Sequence, residues 1–350
     1  MAWERWCHER ASPGAGCVTF GLALALALLF AFTNGVHDAS NAIAALVATR
    51  GARPLQAVLL AAVFNLLGPL LVGTAVADTI GGIVTAGGAA GVEMIGAGLL
   101  AAVLWNLATW ALGLPSSSGH ALVGGLVGAA LVAGGSDAIR WGGIEDGHPV
   151  GVLGTVAALA VAPALGAFGA LVAIRGIRRA ARRATRRWRG PARGGAWGMA
   201  AALAFSHGAN DAQKSVGVIA ALLVADSRIG SLTAPLWATV ACALALTIGT
   251  AVGGWSIVKT VGRRIYRIHP VDGVASQSAS AGVIFGASLI GAPVSTTQVV
   301  ASSVVGVGGG RRRWRHVNWA VVRQIALGWL ITMPATAAVG ALAAGAWGWS

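Results

Sequence analysis

The stretch FTNGVHDASNAIAALVA, at Phe32–Ala48, decides the fold of this 350-residue chain, because a second copy of it, FSHGANDAQKSVGVIAA, stands at Phe205–Ala221. Each copy places an aspartate, Asp38 or Asp211, inside an otherwise apolar run. A charged side chain at the centre of a bilayer costs about 2.5–3.5 kcal/mol on insertion scales. Two such residues in matching positions indicate a functional site built by an internal repeat.

A second pair of motifs follows the first in each half of the chain. LPSSSGHALVGG at Leu114–Gly125 aligns with APVSTTQVVASS at Ala292–Ser303 when Pro115 is set on Pro293. The first pair of motifs is separated by 173 residues and the second by 178. Coincidence is a poor explanation for two ordered matches at nearly equal offsets, so we interpret the chain as two repeats.

The composition is typical of a polytopic membrane protein. Charged residues make up 10% of the chain, against about a quarter of an ordinary soluble domain. The mean hydropathy of +0.74 excludes a disordered chain, and three cysteines without a spacing pattern exclude a disulfide scaffold. A spanning helix needs about 20 apolar residues. The predicted spans are Val18–Val36, Pro54–Ala77, Met94–Ser136, Val150–Ile174, Ala196–Leu223, Ile229–Val258, Gly273–Gly310 and Gln324–Ser350.

Basic residues orient these spans. Nine of the 25 Lys and Arg residues are arginines within 175–193, and short loops rich in such residues stay in the cytoplasm. Alternating crossings then place both termini outside the inner (plasma) membrane, the turn near Pro115 inside and the turn near Pro293 outside. Each half crosses the membrane an odd number of times, so the two halves have opposite orientations.

This pattern also predicts the domain organisation. The first transmembrane repeat is expected at 1–174, an Arg-rich cytoplasmic linker at 175–194, and the second, inverted repeat at 195–350. The linker contains one aromatic residue, Trp188, so anionic lipid explains its charge better than nucleic acid does. Whether Met94–Ser136 crosses twice or forms a re-entrant hairpin stays open at this point.

Both motifs carry polar groups that suit ion binding. Asn34, Asp38 and Asn41 share one helical face, as do Asp211 and Lys214, and a coordination site explains them better than a polar packing seam. After a Gly-x-Pro element, hydroxyl groups stand where a new helical segment begins. Free N–H groups and a positive helix end there favour an oxyanion, although N-capping alone is the alternative. These hydroxyls belong to Ser116, Ser117, Ser118, Ser295, Thr296 and Thr297.

At NGVHDASNA, HGANDAQKS, PSSSGHAL and PVSTTQ, the sequence resembles the inorganic phosphate transporter (PiT) family of sodium- or proton-coupled symporters. The resemblance implies an all-α polytopic fold of two inverted-topology repeats, with about 10–12 membrane segments including re-entrant hairpins. It implies alternating access, phosphate binding by the hydroxyl clusters with Lys214, and no cofactor beyond the co-transported H⁺ or Na⁺. The expected cation or proton site consists of Asn34, His37, Asp38, Asn41, Asn210 and Asp211.

Two differences between the repeats bear on the coupling ion. His37 replaces the amide of Asn210 and can titrate, although a packed polar side chain is an equal alternative. Lys214 replaces the amide of Asn41 with a fixed positive charge. The HD and DAQK variants resemble bacterial family members that are usually considered proton-coupled, so the resemblance favours H⁺ over Na⁺. A divalent metal accompanying phosphate, and a homodimer, are left open.

Two other functions compete with phosphate symport. One is a permease for another oxyanion such as sulfate. The other is an intramembrane hydrolase that uses Ser118 and His120, which no G-x-S-x-G or HExxH frame supports. A primary pump is excluded because the chain has no Gly-x4-Gly-Lys-Ser/Thr element. The chain is therefore expected not to be an enzyme.

Overall fold

The computed structural model describes residues 15–145, 148–183, 189–253, 265–266, 268–311 and 314–347, which form helices almost throughout. Two strands of two residues each, β1 (Ile144–Glu145) and β2 (His148–Pro149), pair antiparallel. The α-helices of the described residues are α1 (Ala15–Ala48), α2 (Pro54–Leu71), α3 (Ala75–Gly81), α4 (Gly88–Ala111), α5 (Ser118–Ala133), α6 (Gly151–Ala180), α7 (Arg189–Ala225), α8 (Leu236–Val252), α9 (Pro270–Leu289), α10 (Thr296–Gly310) and α11 (Trp319–Trp347).

The architecture is that of a multi-pass, all-α membrane protein, as the composition predicts. Among the described helices, α1, α2, α4, α6 and α11 are long and apolar enough to span a bilayer. Large apolar side chains point outward, including Leu71 at 70% and Leu342 at 74% exposure, which suits contact with lipid. The helices α1–α6 and α7–α11 form two repeats of opposite orientation. We call the side where α6 ends and α7 begins the arginine-rich side.

The Gly-x-Pro turns end inside the helix bundle, so the expectation that they lie at the two membrane surfaces is wrong. The carbonyl of buried Pro115 accepts a hydrogen bond of 3.0 Å from Trp329 Nε1, in the middle of α11. At 1.5 Å per residue, the 16 residues of α5 extend only about 24 Å, less than the roughly 30 Å hydrocarbon core. The pairs α4–α5 and α9–α10 are therefore re-entrant hairpins.

The two repeats interlock through close glycine contacts. A Cβ at Gly35 in α1 would lie 2.1 Å from the carbonyl oxygen of Leu246 in α8. In the matching place, a Cβ at Gly208 in α7 would lie 2.2 Å from the carbonyl oxygen of Asn65 in α2. Each motif helix thus packs, backbone to backbone, against the second helix of the other repeat. This crossing brings the two aspartate motifs together.

Candidate functional site

The aspartates of the two repeats meet at the centre of the bundle. Asp38 of α1 is 2% exposed and Asp211 of α7 is fully buried. The tips of both re-entrant hairpins end beside them, which brings the hydroxyl clusters predicted from the sequence to the same place. The site therefore unites both motif pairs, although Asp38 and Asp211 belong to different repeats.

A single hydroxyl group joins the two carboxylates. Thr296 Oγ1, in the first turn of α10, lies 3.2 Å from Asp38 Oδ2 and 2.9 Å from Asp211 Oδ2. A hydroxyl has one hydrogen to donate, and an ionised carboxylate can only accept. Thr296 can therefore satisfy only one of two ionised aspartates at a time.

Hydroxyl groups and the imidazole of His37 surround the carboxylate of Asp38. Its Oδ1 accepts a hydrogen bond of 2.7 Å from Thr297 Oγ1 and lies 2.8 Å from His37 Nδ1. Its Oδ2 is 3.5 Å from Ser118 Oγ, at the limit of a hydrogen bond. The amide of Asn41 donates to Thr297 Oγ1 at 3.0 Å and so orients the hydroxyl that faces Asp38.

Asp211, by contrast, has a buried cationic partner. The ammonium of Lys214 donates to Asp211 Oδ1, and a second hydrogen bond of 2.6 Å runs from Lys214 Nζ to the carbonyl of Val294 in the hairpin tip. His207 Nε2 also lies close to this carboxylate, 2.9 Å from Asp211 Oδ2. The Asp211 charge is therefore offset within the protein.

The residue before each aspartate anchors the hairpin of its own repeat. His37 Nε2 lies 3.2 Å from Ser116 Oγ and 3.3 Å from Thr109 Oγ1. Asn210, in the matching position, donates to Ser288 Oγ at 3.1 Å and accepts from the backbone N–H of Val294 at 3.2 Å. The histidine and the asparagine thus share a positioning contact despite their different chemistry.

Ser117 and Ser295 are N-caps of the two hairpin helices. Ser117 Oγ accepts from the N–H of His120 at 3.2 Å, and Ser295 Oγ accepts from the N–H of Gln298 at 3.3 Å. The N-capping alternative is therefore correct for these two hydroxyls, and it does not remove them from the site. The Ser295 hydroxyl accepts with its oxygen and keeps a hydrogen that it can donate, whereas Ser117 Oγ also lies 2.7 Å from His120 Nδ1.

Several buried polar atoms near the motifs have no hydrogen-bond partner among the described residues. Buried polar groups are normally satisfied, so such atoms call for a ligand, an ion or water. They include both amide atoms of Asn34, the Oδ1 atom of Asn41, the Nε2 atom of Gln213 and the Oε1 atom of Gln298. Asn34 is fully buried one helical turn before Asp38, and its role stays a prediction.

His207 and Asn65 were not predicted as site residues. Asn65 Oδ1 lies 3.0 Å from His207 Nδ1 and links α2 to α7. His207 stands 173 residues after Asn34, the offset that aligns Asp38 with Asp211, so the repeat alignment could have found it. Asn65 lies outside every motif, and no signal in the sequence marks it.

One cluster has the ligand types for a cation. Single ligand atoms of Asp38, His207 and Asp211 lie within 4.8 Å of one another. Carboxylate oxygens suit Na⁺ or a divalent ion, and imidazole suits a transition metal. Lys214 borders the same cluster through Asp211, and its fixed charge opposes a second cation there.

A polar vestibule stands above the second hairpin tip, on the side opposite the arginine-rich side. Its cavity volume is about 340 Å³. Burial raises the pKa of the Asp78 carboxyl above its ordinary value, against the effect of a hydrogen bond from Thr74. A hydrogen bond from Arg140 lowers the pKa of Glu145. The vestibule is lined by residues that include Ala75, Asp78, Arg140, Glu145, His148 and Gly291.

Comparisons with known proteins identify the family. A model of the phosphate transporter family matches residues 34–192 and again 186–340. The chain is 39% identical over 325 residues to a probable low-affinity inorganic phosphate transporter of Rhizobium meliloti, covering 91% of this chain and 93% of that one. A protein of the same description from Bacillus subtilis is also 39% identical, with 92% and 95% covered.

A solved structure has the same fold. The structure titled the sodium-dependent phosphate transporter superimposes with a TM-score of 0.81 at 24% identity. The superposition covers 95% of this chain and 99% of that one.

Proposed function

The chain belongs to the phosphate transporter family, and from this membership we propose that it imports inorganic phosphate together with a proton. The family and the relatives are transporters, so the chain is a transporter and not an enzyme. Inorganic phosphate is the substrate named for the relatives of Rhizobium meliloti and Bacillus subtilis. The coupling ion is proposed from the geometry of the site.

The observation that supports coupling to a proton is the position of the Thr296 hydroxyl between two carboxylates. With both aspartates ionised, one of the two contacts would lack a hydrogen. A proton on Asp38 Oδ2 removes this conflict, because Asp38 can then donate to Thr296 while Thr296 donates to Asp211. Asp38 is the proposed carrier because Asp211 already has Lys214 as a partner.

Phosphate is proposed to bind between the hairpin tips. Helix N-termini offer free N–H groups and a positive dipole end to an oxyanion. When Asp38 is ionised, Thr297 donates a hydrogen bond to it. Protonation of Asp38 weakens this hydrogen bond, so the Thr297 hydroxyl becomes free to donate to phosphate. The proposed phosphate ligands are Ser116, Ser117, Ser118, Ser295, Thr296, Thr297 and Lys214, and the proposed coupling group is Asn34, His37, Asp38, Asn41, Asn210 and Asp211.

Charge explains why a proton and phosphate would travel together. Counted without the imidazoles of His37 and His207, the buried groups Asp38, Asp211 and Lys214 carry a net charge of −1 when all are ionised, before phosphate adds its own negative charge. Uncompensated charge is very costly in such an interior. Protonation of Asp38 brings the group to neutrality, so phosphate would enter readily only after the proton.

Access to the site is proposed to alternate between the two sides by movement of one repeat against the other. The vestibule beside Gly291 is the proposed entrance. Positive charge favours the cytoplasm, so we assign the arginine-rich side to the cytoplasm and both termini to the outside of the plasma membrane. The proposed division remains 1–174, 175–194 and 195–350; within that linker, 175–180 continues α6 and 189–194 begins α7.

The direct test is uptake of radiolabelled phosphate into proteoliposomes with imposed gradients. We expect accumulation with an inward proton gradient and no Na⁺. Na⁺ is the second candidate ion, and the Asp38–His207–Asp211 cluster supports it. Uptake driven by Na⁺ alone at equal pH would show that Na⁺, and not a proton, is the coupling ion at Asp38.

Further measurements distinguish phosphate from other oxyanions, free phosphate from a metal–phosphate complex, and a monomer from a homodimer. Competition by arsenate, but not by sulfate, is expected for a phosphate site. Inhibition by sulfate at equal concentration would indicate a general oxyanion permease. Removal of divalent ions by a chelator tests whether a metal–phosphate complex is the transported form, and the oligomeric state of the purified protein tests the homodimer.

A further inference from the structure

A basic basin lies at the arginine-rich side, far from the transport site. Arg175, Arg178, Arg179 and Arg182 recur at a spacing that places them on one face of the end of α6 and the turn that follows it. Together with Gly310 and Arg311 they line a cavity of about 400 Å³. Thr296, at the other end of α10, is about 20 Å away along that helix.

Membrane orientation alone does not explain the arrangement of the arginines in this basin. Positive charge anywhere in a short cytoplasmic segment would satisfy that requirement, whereas these guanidinium groups converge on one concavity. Among the described residues, no carboxylate lies within salt-bridge distance of Arg175, Arg178, Arg179 or Arg182. All four arginines are exposed, and their concentrated positive charge favours an anion that is not part of the described chain.

The opposite wall of the basin is held rigidly by the second repeat. A Cβ at Gly310 would lie 2.3 Å from Ile174 Cγ2, so the end of α10 packs directly on α6. Arg311 Nη1 donates to Asp272 Oδ2 at 2.7 Å, which ties the end of α10 to the first turn of α9. The basin thus lies between α6 and the base of the second re-entrant hairpin.

We propose that this basin is a second anion site, which binds a phosphate-bearing group at the cytoplasmic surface. Guanidinium groups bind phosphate through paired, charge-assisted hydrogen bonds. Two kinds of molecule present a phosphate group at the cytoplasmic surface: an anionic phospholipid, through its headgroup, and a soluble phosphate compound. The occupant contacts α6 of the first repeat and α10 of the second, so its binding bridges the two repeats.

The test compares two charge-matched double variants in nanodiscs. R178Q/R182Q removes two guanidinium groups from the basin, and R315Q/R323Q removes two exposed ones from the same side outside it. In the lipid arm, bound phosphatidylglycerol is counted by native mass spectrometry. In the soluble arm, pyrophosphate binding is measured by calorimetry in discs of phosphatidylcholine alone. The single variant R182Q serves if the double variant is poorly folded.

We expect R178Q/R182Q to weaken binding in at least one arm by about tenfold or more, while R315Q/R323Q stays close to the unmodified protein. A loss confined to the lipid arm identifies the headgroup, and a loss confined to the soluble arm identifies a soluble phosphate compound. Equal binding by both double variants in both arms would overturn the proposal. Phosphate uptake, measured in parallel, does not decide this outcome, so the basin is tested independently of the transport function.

Discussion

Lys214 fills the space beside Gly119: a Cβ added at this glycine would lie 3.6 Å from the ammonium nitrogen. In the matching place of the other half, Asn41 donates to Thr297. One half of the site thus pairs an amide of the first repeat with a threonine of the second, and the other half pairs an ammonium of the second repeat with a glycine of the first. The two halves of the site are alike in backbone and unlike in charge.

This asymmetry predicts the effect of K214N, which copies the residue of the first repeat. Removal of the fixed ammonium leaves Asp211 dependent on a mobile cation. We expect uptake without Na⁺ to fall by about tenfold or more, and added Na⁺ to restore part of it. Gradient-driven uptake into proteoliposomes measures both effects. Unchanged Na⁺-independent transport by K214N would show that the charge of Asp211 does not need the Lys214 ammonium during transport.

The two aspartates are predicted to differ when each is neutralised. D38N imitates a protonated Asp38, so we expect it to keep phosphate exchange across the membrane and to lose accumulation driven by the proton gradient. Counterflow and net uptake of labelled phosphate distinguish the two activities. Normal accumulation by D38N would show that the proton is carried elsewhere.

D211N is expected to destabilise the protein itself. It leaves the ammonium of Lys214 buried without its counter-ion, and breaking a buried ion pair from one side costs about 3–5 kcal/mol. The unfolding temperature of the detergent-purified protein should fall for D211N and change much less for D38N, because Asp38 has no Lys or Arg partner among the described residues. The double variant D211N/K214Q should recover part of the loss.

The hydroxyl between the carboxylates gives a third prediction. T296V keeps the shape of the side chain and removes the contacts to Asp38 and Asp211; the hydrogen bond to the ionised Asp211 is charge-assisted and worth about 1.5–3 kcal/mol. T296S keeps the hydroxyl. We expect T296S to transport phosphate and T296V to lose proton-driven uptake. Equal activity of the two variants would mean that the bridge has no part in coupling.

The interlocking of the repeats is tested by two glycines of one helix. G208A places a methyl group against the backbone of Asn65, and such overpacking costs about 1–3 kcal/mol. Nothing lies within 4 Å of the position that a Cβ at Gly198 would take. We expect G208A to lower the unfolding temperature and G198A to leave it unchanged or raise it. A similar loss in both would point to helix bending rather than to the crossing of α2 and α7.

His37 offers the fifth prediction. Its ring contacts the hairpin through Ser116 and Thr109, as Asn210 contacts the other hairpin. H37N, which copies the second repeat, is expected to keep much of the uptake, whereas H37L should lose it because the polar contacts are gone. A comparable loss in both variants would assign titration of the imidazole to the mechanism.

The sequence alone determined the repeat, the membrane class and the residues that carry charge into the bilayer. These features are visible because an aspartate in an apolar run is costly wherever the run folds, and because two copies of a motif keep the same residue types at nearly the same spacing. The N-capping serines were likewise readable from a local pattern.

Only the tertiary structure decided how the halves combine. Thr296 contacts Asp38, from which it is separated by 258 residues of sequence. The depth of the hairpin tips follows from the lengths of their helices and from the hydrogen bond of Trp329 to Pro115, a contact that no local sequence pattern specifies. Asn65 became part of the site because glycine contacts bring α2 against α7. Proximity of this kind depends on packing between distant helices, whereas sequence periodicity reports only what one segment does by itself.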